Sequence, residues 1–160
     1  MSVLEPGCGP GLATLMLAEL VGESGRVLAL DISEEMALKC RARTAHLPQV
    51  EVAHGAVEEL HELTGKFDLA FCLNAFPHFC DRHAALTAIH ARLQPQGRLV
   101  IAHSIPRSRV NEIHRRAGGA VAGDMLPAPE ELAALLGECG FAVGEMDDGE
   151  EWFYGEGVRK

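Results

Sequence analysis

Short apolar runs alternate with segments of helical periodicity along most of this 160-residue chain, and two further runs flank a turn at its end. "SVLE" reads as the end of a short buried strand. "GLATLMLAELV" follows, with Leu12, Leu15, Met16 and Leu20 at helical spacing and Pro10 expected at the first helical position, where a missing N–H costs nothing. "RVLALD" is a second strand that closes on an acid, and Ser33 caps the next helix, with Glu34 and Glu35 in its first turn. "VEVAHG" and "FDLAFCLN" are the third and fourth strands, the fourth apolar almost throughout, as a strand covered on both faces requires. "RHAALTAIHARLQPQG" reads as a helix with Leu86, Ile89 and Leu93 on one face, ended by Pro95 and Gly97, and "RLVIAHS" as the fifth strand. Helical patterns at 108–117 and 129–139 follow. "FAVGEMDDGEEWFYGEGV" then reads as two strands around "DDG".

This alternation predicts an α/β fold: a three-layer sandwich with a doubly wound, mainly parallel sheet and a C-terminal antiparallel hairpin, formed by one domain over 1–160. A domain of this length buries about 68–70% of the surface of its unfolded chain. Ligands of such sheets bind outside the carboxyl ends of the strands, near the reversal of strand order. Those ends are Glu5 to Gly9, Asp31, Gly55 to Val57, Leu73 to Phe79, and Ala102 to Ser104.

Charge and cysteine content narrow the classes. A net charge of -9 repels phosphate backbones, so nucleic acid is not expected as a partner. No apolar run is long enough to span a bilayer and no secretory signal pattern is visible, so a cytoplasmic chain without membrane contact is expected. The five cysteines, Cys8, Cys40, Cys72, Cys80 and Cys139, are odd in number and contain no CxxC, which fits free thiols in a reducing compartment.

Between the first strand and the first helix lies an E-x-G-x-G-x-G loop: Glu5, Gly7, Gly9, Gly11. Glycines there let a ligand approach the backbone closely, and the helix behind offers free N–H groups. The nicotinamide and flavin fingerprint G-x-G-x-x-G/A fails in both frames, because Leu12 and Thr14 stand where its third small residue belongs.

"LEPGCGPG" resembles the first motif of class I S-adenosylmethionine-dependent methyltransferases. "FDLAFCLNAFPHF" is similar to their fourth-strand motif, "LQPQGRLVI" to the run that enters their fifth strand, and the terminal hairpin to their antiparallel last strand. The resemblance implies S-adenosylmethionine as cofactor. Glu5 would reach toward the methionine amino group. Gly7, Cys8, Gly9 and Gly11 would pass beneath methionine and ribose. Asp31 would bind the ribose hydroxyls, and Ile32 and Met36 would border the adenine and ribose. Leu73 and Asn74 would lie beside the sulfonium. Family members often carry Asp after the glycine of the third strand, where this chain has Ala56, so the adenine contact would fall to backbone at Ala56 and Val57.

The activity implied is transfer of a methyl group to a small-molecule acceptor at oxygen, carbon or sulfur, since "NAFPHF" lacks the Asn-Pro-Pro-Tyr-like pattern of nucleic-acid and protein amino-group methylases. His78 and His103 are candidate bases. The alternatives are that His78 only shapes the cofactor lid and that His103 is a hydrogen-bonded core residue. Phe76 and Phe79 could line an apolar acceptor pocket. The spacings in "HFCDRH" match no usual zinc pattern, so no metal is expected, and His83 and His90 are expected on one solvated helix face. Arg107, Arg109, Arg115 and Arg116 read mostly as a solvated helix face. Related enzymes usually carry helices ahead of the glycine loop. Only four residues precede Glu5 here, so a fragment of a longer methyltransferase is expected, with a homodimer that covers the open side, or a remnant that binds the cofactor poorly or not at all, as the alternatives. A cofactor-binding domain without turnover is the alternative function, and an NAD(P)-dependent oxidoreductase a more distant one.

Overall fold

The computed structural model describes residues 1–62 and 65–160. Its strands and helices are β1 (Ser2–Pro6), α1 (Leu12–Val21), β2 (Arg26–Asp31), α2 (Glu34–Thr44), β3 (Val50–His54), β4 (Phe67–Leu73), α3 (Arg82–Arg92), β5 (Leu93–His103), α4 (Arg107–Ala117), α5 (Pro129–Glu138), β6 (Phe141–Asp148) and β7 (Phe153–Arg159). One sheet runs in the order β3-β2-β1-β4-β5-β7-β6. The first five strands are parallel, and β7 is antiparallel to both β5 and β6. Strand order reverses between β1 and β4, so the loops that follow these two strands part company there.

The two faces follow the period-2 alternation of the strands. Leu4 and Leu28, paired in register, look toward Leu86 and Ile89 of α3, Leu132 and Leu136 of α5, and Phe153 of β7. Val3 and Val27, also paired, look the other way and pack on Leu17, Ala18 and Val21 of α1. Helices on both faces make the three-layer sandwich. All five cysteines are free thiols, and all but Cys80 are buried as small apolar groups. Burial pushes the Cys72 thiol up to about 12. No helix among the described residues is long and apolar enough to cross a membrane.

Three expectations change. Helix α1 begins at Leu12 rather than Pro10, because Gly11 is its N-cap at φ +85° and faces α2: a Cβ on Gly11 would lie 2.9 Å from Cys40 Sγ. Helix α3 stops at Arg92. Leu93 is buried as predicted, but as the first residue of β5, opposite Phe67, with Gln96 at φ +65° in the irregular stretch that follows. His90 does not share a solvated face with His83, since its ring packs edge-on against Phe141, centroids 4.9 Å apart. Gly140, at φ +91°, lets the chain close over that ring.

Helix α1 also turns a different face inward from the one its spacing suggests. Thr14, Leu17, Ala18 and Val21 are buried, whereas Leu12, Met16 and Leu20 are exposed by 65%, 64% and 73%. Apolar residues on both sides leave the spacing ambiguous. Urea unfolding distinguishes the faces. Leu17→Ala is expected to cost about 2–5 kcal/mol, and Leu20→Ala to stay within about 0.5 kcal/mol of the parent. The reverse order would mean that the Leu12–Met16–Leu20 stripe is the packed face.

Candidate functional site

The glycine loop curls over the end of β2. The Gly7 and Cys8 amides both donate to the Leu30 carbonyl, at 2.7 and 3.0 Å. Gly7, Gly9 and Gly11 all have positive φ, but each for its own reason. A Cβ on Gly7 would sit 2.3 Å from the Ala75 Cβ, so here the loop touches the turn after β4. Gly11 meets Cys40, as described above. Around Gly9 a Cβ would find nothing within 4 Å, so this stretch of backbone is open to a ligand. The Gly9 amide donates to Asp31 Oδ2 at 2.8 Å, and Asp31 Oδ1 accepts from the Ser33 amide at 2.9 Å. Each carboxylate oxygen keeps further acceptor capacity.

A cleft of about 250 Å³ opens at the reversal of strand order. Gly7, Gly9, Asp31, Ile32, Ala56, Val57, Asn74 and His78, all singled out from the sequence, line it, as does Phe79. The remaining residues singled out do not. Glu5 pairs with Ala29 and shares the face of Val3 beneath α1, where its carboxylate accepts from the Thr14 hydroxyl at 2.6 Å; it is buried behind the loop rather than reaching into the cleft. Cys8 is buried beside Ala29 and Cys40. The Met36 amide donates to the Ser33 hydroxyl in the first turn of α2. By alternation Leu73 shares the face of Leu69 and Phe71, which pack with the α1 side of the sheet. Leu30, Gly55, Glu58, Ala75 and Cys80 complete the wall. Glu58 and Cys80 carried no sequence signal beyond lying next to strand-end loops, and the Glu58 carboxylate accepts from the Asp81 amide at 3.1 Å, joining the two sides of the cleft.

Asn74 holds a left-handed backbone, φ +56°, at the end of β4. Its Oδ1 accepts from the Ser104 amide at 2.9 Å and its Nδ2 donates to the Ser104 hydroxyl at 3.0 Å, fastening β4 to β5. A left-handed non-glycine residue fixed this way is of the kind found at ligand clamps. Asn74 also lines a second cleft of about 210 Å³, with His103, Ser104 and His114, so the two clefts meet at this side chain.

The histidines converge on the same rim. His78 Nδ1 lies 2.7 Å from Asp124 Oδ2, His114 Nδ1 contacts the Asp124 carbonyl, and the His78 and His114 rings are 4.8 Å apart. A carboxylate on one ring nitrogen fixes the tautomer that leaves the other nitrogen as an acceptor. His103 is 3% exposed, and its Nε2 has no hydrogen-bond partner among the described residues. It is therefore a core residue but not a hydrogen-bonded one at that atom. Burial, with His78 and His114 nearby, lowers it to about 4, so it is neutral at pH 7. The arginines of α4 are mostly engaged in ion pairs, Arg107 with Asp148 and both Arg109 and Arg116 with Glu112.

Residues 3–97 match a family model described as a methyltransferase domain. An uncharacterized 37.1 kDa protein of transposon TN4556 from Streptomyces fradiae is 41% identical over 100 residues, 62% of this chain and 29% of that protein. Magnesium protoporphyrin IX methyltransferase of Arabidopsis thaliana is 28% identical over 132 residues, 82% of this chain and 39% of that protein. Demethylmenaquinone methyltransferase of Lysinibacillus sphaericus is 34% identical over 100 residues, 61% of this chain and 42% of that protein. The matched stretches thus cover 29–42% of the length of these relatives. Among solved structures, a SAM dependent methyltransferase from Aquifex aeolicus superposes with a TM-score of 0.81 at 23% identity, over 100% of this chain and 82% of that one. Magnesium protoporphyrin IX methyltransferase of Synechocystis PCC 6803 with bound SAH superposes at 0.71 and 20% identity, over 99% and 74%. These two likenesses are of fold.

Burial raises the Glu5 carboxyl to about 8 in spite of the Thr14 hydroxyl bond. The unfolded chain releases that proton near 4.5, so between these values the folded state binds more protons. The stability this group contributes is fully present below about pH 4.5 and lost as pH rises through about 8. Glu5→Gln keeps an acceptor for Thr14 and removes the titration. Urea unfolding at the acid and alkaline ends of this window is expected to show the variant gaining on the parent by about 3–5 kcal/mol as pH rises. A pH-independent difference between the two proteins would contradict this account of Glu5.

Proposed function

The chain belongs to the methyltransferase-domain family, and from that premise we propose that it uses S-adenosylmethionine to methylate a small-molecule acceptor. The observation that carries the reading is the Asp31 carboxylate, held at the cleft by the Gly9 and Ser33 amides beside backbone that nothing covers.

The residues present fit such a cofactor. A nucleoside needs an anionic acceptor for its sugar hydroxyls, and Asp31 supplies one with oxygens that can still accept. A zwitterionic aminoacyl chain needs backbone it can approach closely, and a Cβ at Gly9 would fill that space. The base needs apolar walls with backbone polar groups, and Ile32, Ala56 and Val57 offer them on one side of the cleft. With no acid at position 56, adenine selectivity would forgo about 0.5–1.5 kcal/mol, one hydrogen bond. Glu5 would act indirectly, by packing the loop from behind through Thr14.

When bound, the cofactor supplies a methyl group already activated by the positive charge on sulfur. The protein's part is then to orient, to exclude water and to take a proton where the acceptor carries one. Asn74, shared by the two clefts, would border cofactor on one side and acceptor on the other. His78 would serve as the base, with Asp124 holding Nδ1 and Nε2 left to receive a proton from an acceptor hydroxyl, thiol or acidic carbon. His103 would form a neutral polar wall of the acceptor cleft. The acidic net charge supports a small acceptor over a nucleic acid.

Thermal-shift titration tests the cofactor directly. S-adenosylhomocysteine is expected to stabilise the protein, by about 2.7 kcal/mol at a hundredfold excess over Kd, while NADH gives no shift. Asp31→Asn is expected to weaken that binding by about 1.5–3 kcal/mol, the worth of a charge-assisted hydrogen bond. Folded protein that responds to NADH and ignores S-adenosylhomocysteine would overturn the reading in favour of an oxidoreductase.

A further inference from the structure

We propose that a third cavity, beyond His103, binds an organic cation, and that on the methyl-transfer reading above this is where a positively charged group of the acceptor is held. The cavity measures about 430 Å³ and lies between the end of β5 and the β6–β7 hairpin, at the same edge of the sheet as the other two clefts. Ala102 and His103 line it, together with Glu145, Asp147, Trp152 and Tyr154.

The chemistry of the wall selects the ligand. Two aromatic rings and two carboxylates around one hollow are suited to a cation with an apolar body, because aromatic faces and carboxylates both attract positive charge. The neighbouring acids are already neutralised: Asp148 by Arg107 at 2.7 Å, and Glu156 by Arg98 at 2.5 Å. Glu145 and Asp147 have no ion-pair partner among the described residues. Asp147 instead accepts the indole N–H of Trp152 at 2.9 Å, which fixes the ring beside the carboxylate although the side chain is half exposed. The cavity thus presents negative charge with no cation of its own to answer it.

His103 marks where this cavity approaches the smaller cleft. It is 3% exposed, it lines this cavity, and its Nε2 is buried with no partner among the described residues. Because burial keeps the ring neutral, His103 adds no positive charge to repel a cation. His103 also borders the smaller cleft with Asn74. A ligand anchored among the aromatic residues could therefore extend past His103 toward Asn74 and the main cleft. The same carboxylates would turn away an acceptor whose corresponding end is anionic.

Trp152 is the only tryptophan, so its indole N–H gives a single resonance in a nitrogen–proton correlation spectrum. Choline is titrated against this signal, and in parallel its neutral isostere, in which carbon replaces the ammonium nitrogen, at matched ionic strength. A saturable shift is expected with choline, at least about tenfold tighter than with the isostere, and weakened about tenfold or more in the Glu145→Gln/Asp147→Asn double variant. A non-saturating shift, equal affinity for the neutral isostere, or unchanged affinity in the double variant would each overturn the proposal. Should the double variant not fold, the comparison of choline with its isostere on the parent protein decides. The S-adenosylhomocysteine thermal shift, run on the same samples, keeps the two readings apart. If that shift persists while choline gives no saturable signal, only the cation site falls. If choline binds as expected without any S-adenosylhomocysteine shift, the cation site stands and the methyl-transfer reading falls.

Discussion

The Asp31 carboxylate closes β2 and is held by two amides at once. One belongs to Gly9 in the loop after β1, the other to Ser33 at the start of α2. A charge placed this way steadies a helix N-terminus and, in the same contact, stops the glycine loop from springing open. The two amides that the Leu30 carbonyl receives from Gly7 and Cys8 add a backbone clasp one residue earlier. With the loop so fixed, its outer surface can be left bare at Gly9, and the cleft exists because that bare surface faces the turn after β4. Were Asp31 to turn away, loop, helix start and cleft wall would lose their common anchor together.

Much of this arrangement was legible in the residues themselves. Alternating apolar runs and helical spacing predict the parallel sheet, and the strand ends then point to Asp31, Ala56, Val57 and Asn74 without any knowledge of their partners. Helix α5 begins where Pro129-Glu130-Glu131 predict, because a Pro followed by acids suits a helix start. What sequence could not supply falls into two kinds. Some residues satisfy two periods at once: Leu93 fits the helical face of Leu86 and Ile89 and equally well opens β5, and the apolar residues of α1 fit either side of that helix. Others matter through partners distant in the chain. Asp124 sits 46 residues from His78, and Glu58 sits 23 residues from the Asp81 amide. Glu5 is instructive in a third way, since strand alternation alone, applied from Val3, turns its side chain under α1.

Charge is distributed along the rim with some economy. On the side of α4 the acidic chain carries arginines, but Glu112 and Asp148 occupy most of them. At the centre, His78, His103 and His114 gather near Asn74, one held by a carboxylate and one kept neutral by burial. On the hairpin, Glu145 and Asp147 are left with aromatic neighbours and no counter-ion among the described residues. Passing along the sheet edge from the glycine loop to the hairpin, a ligand would meet the Asp31 carboxylate, then the imidazoles near Asn74, then the carboxylates of the hairpin.

The contact between Gly7 and Ala75 links the two loops on either side of the strand-order reversal. A Cβ on Gly7 would lie 2.3 Å from the Ala75 Cβ, so a side chain at position 7 would require one of the two loops to shift and would strain a backbone at φ +78°. Over evolutionary time positions 7 and 75 are therefore expected to change together or not at all, because size gained by one is space lost to the other.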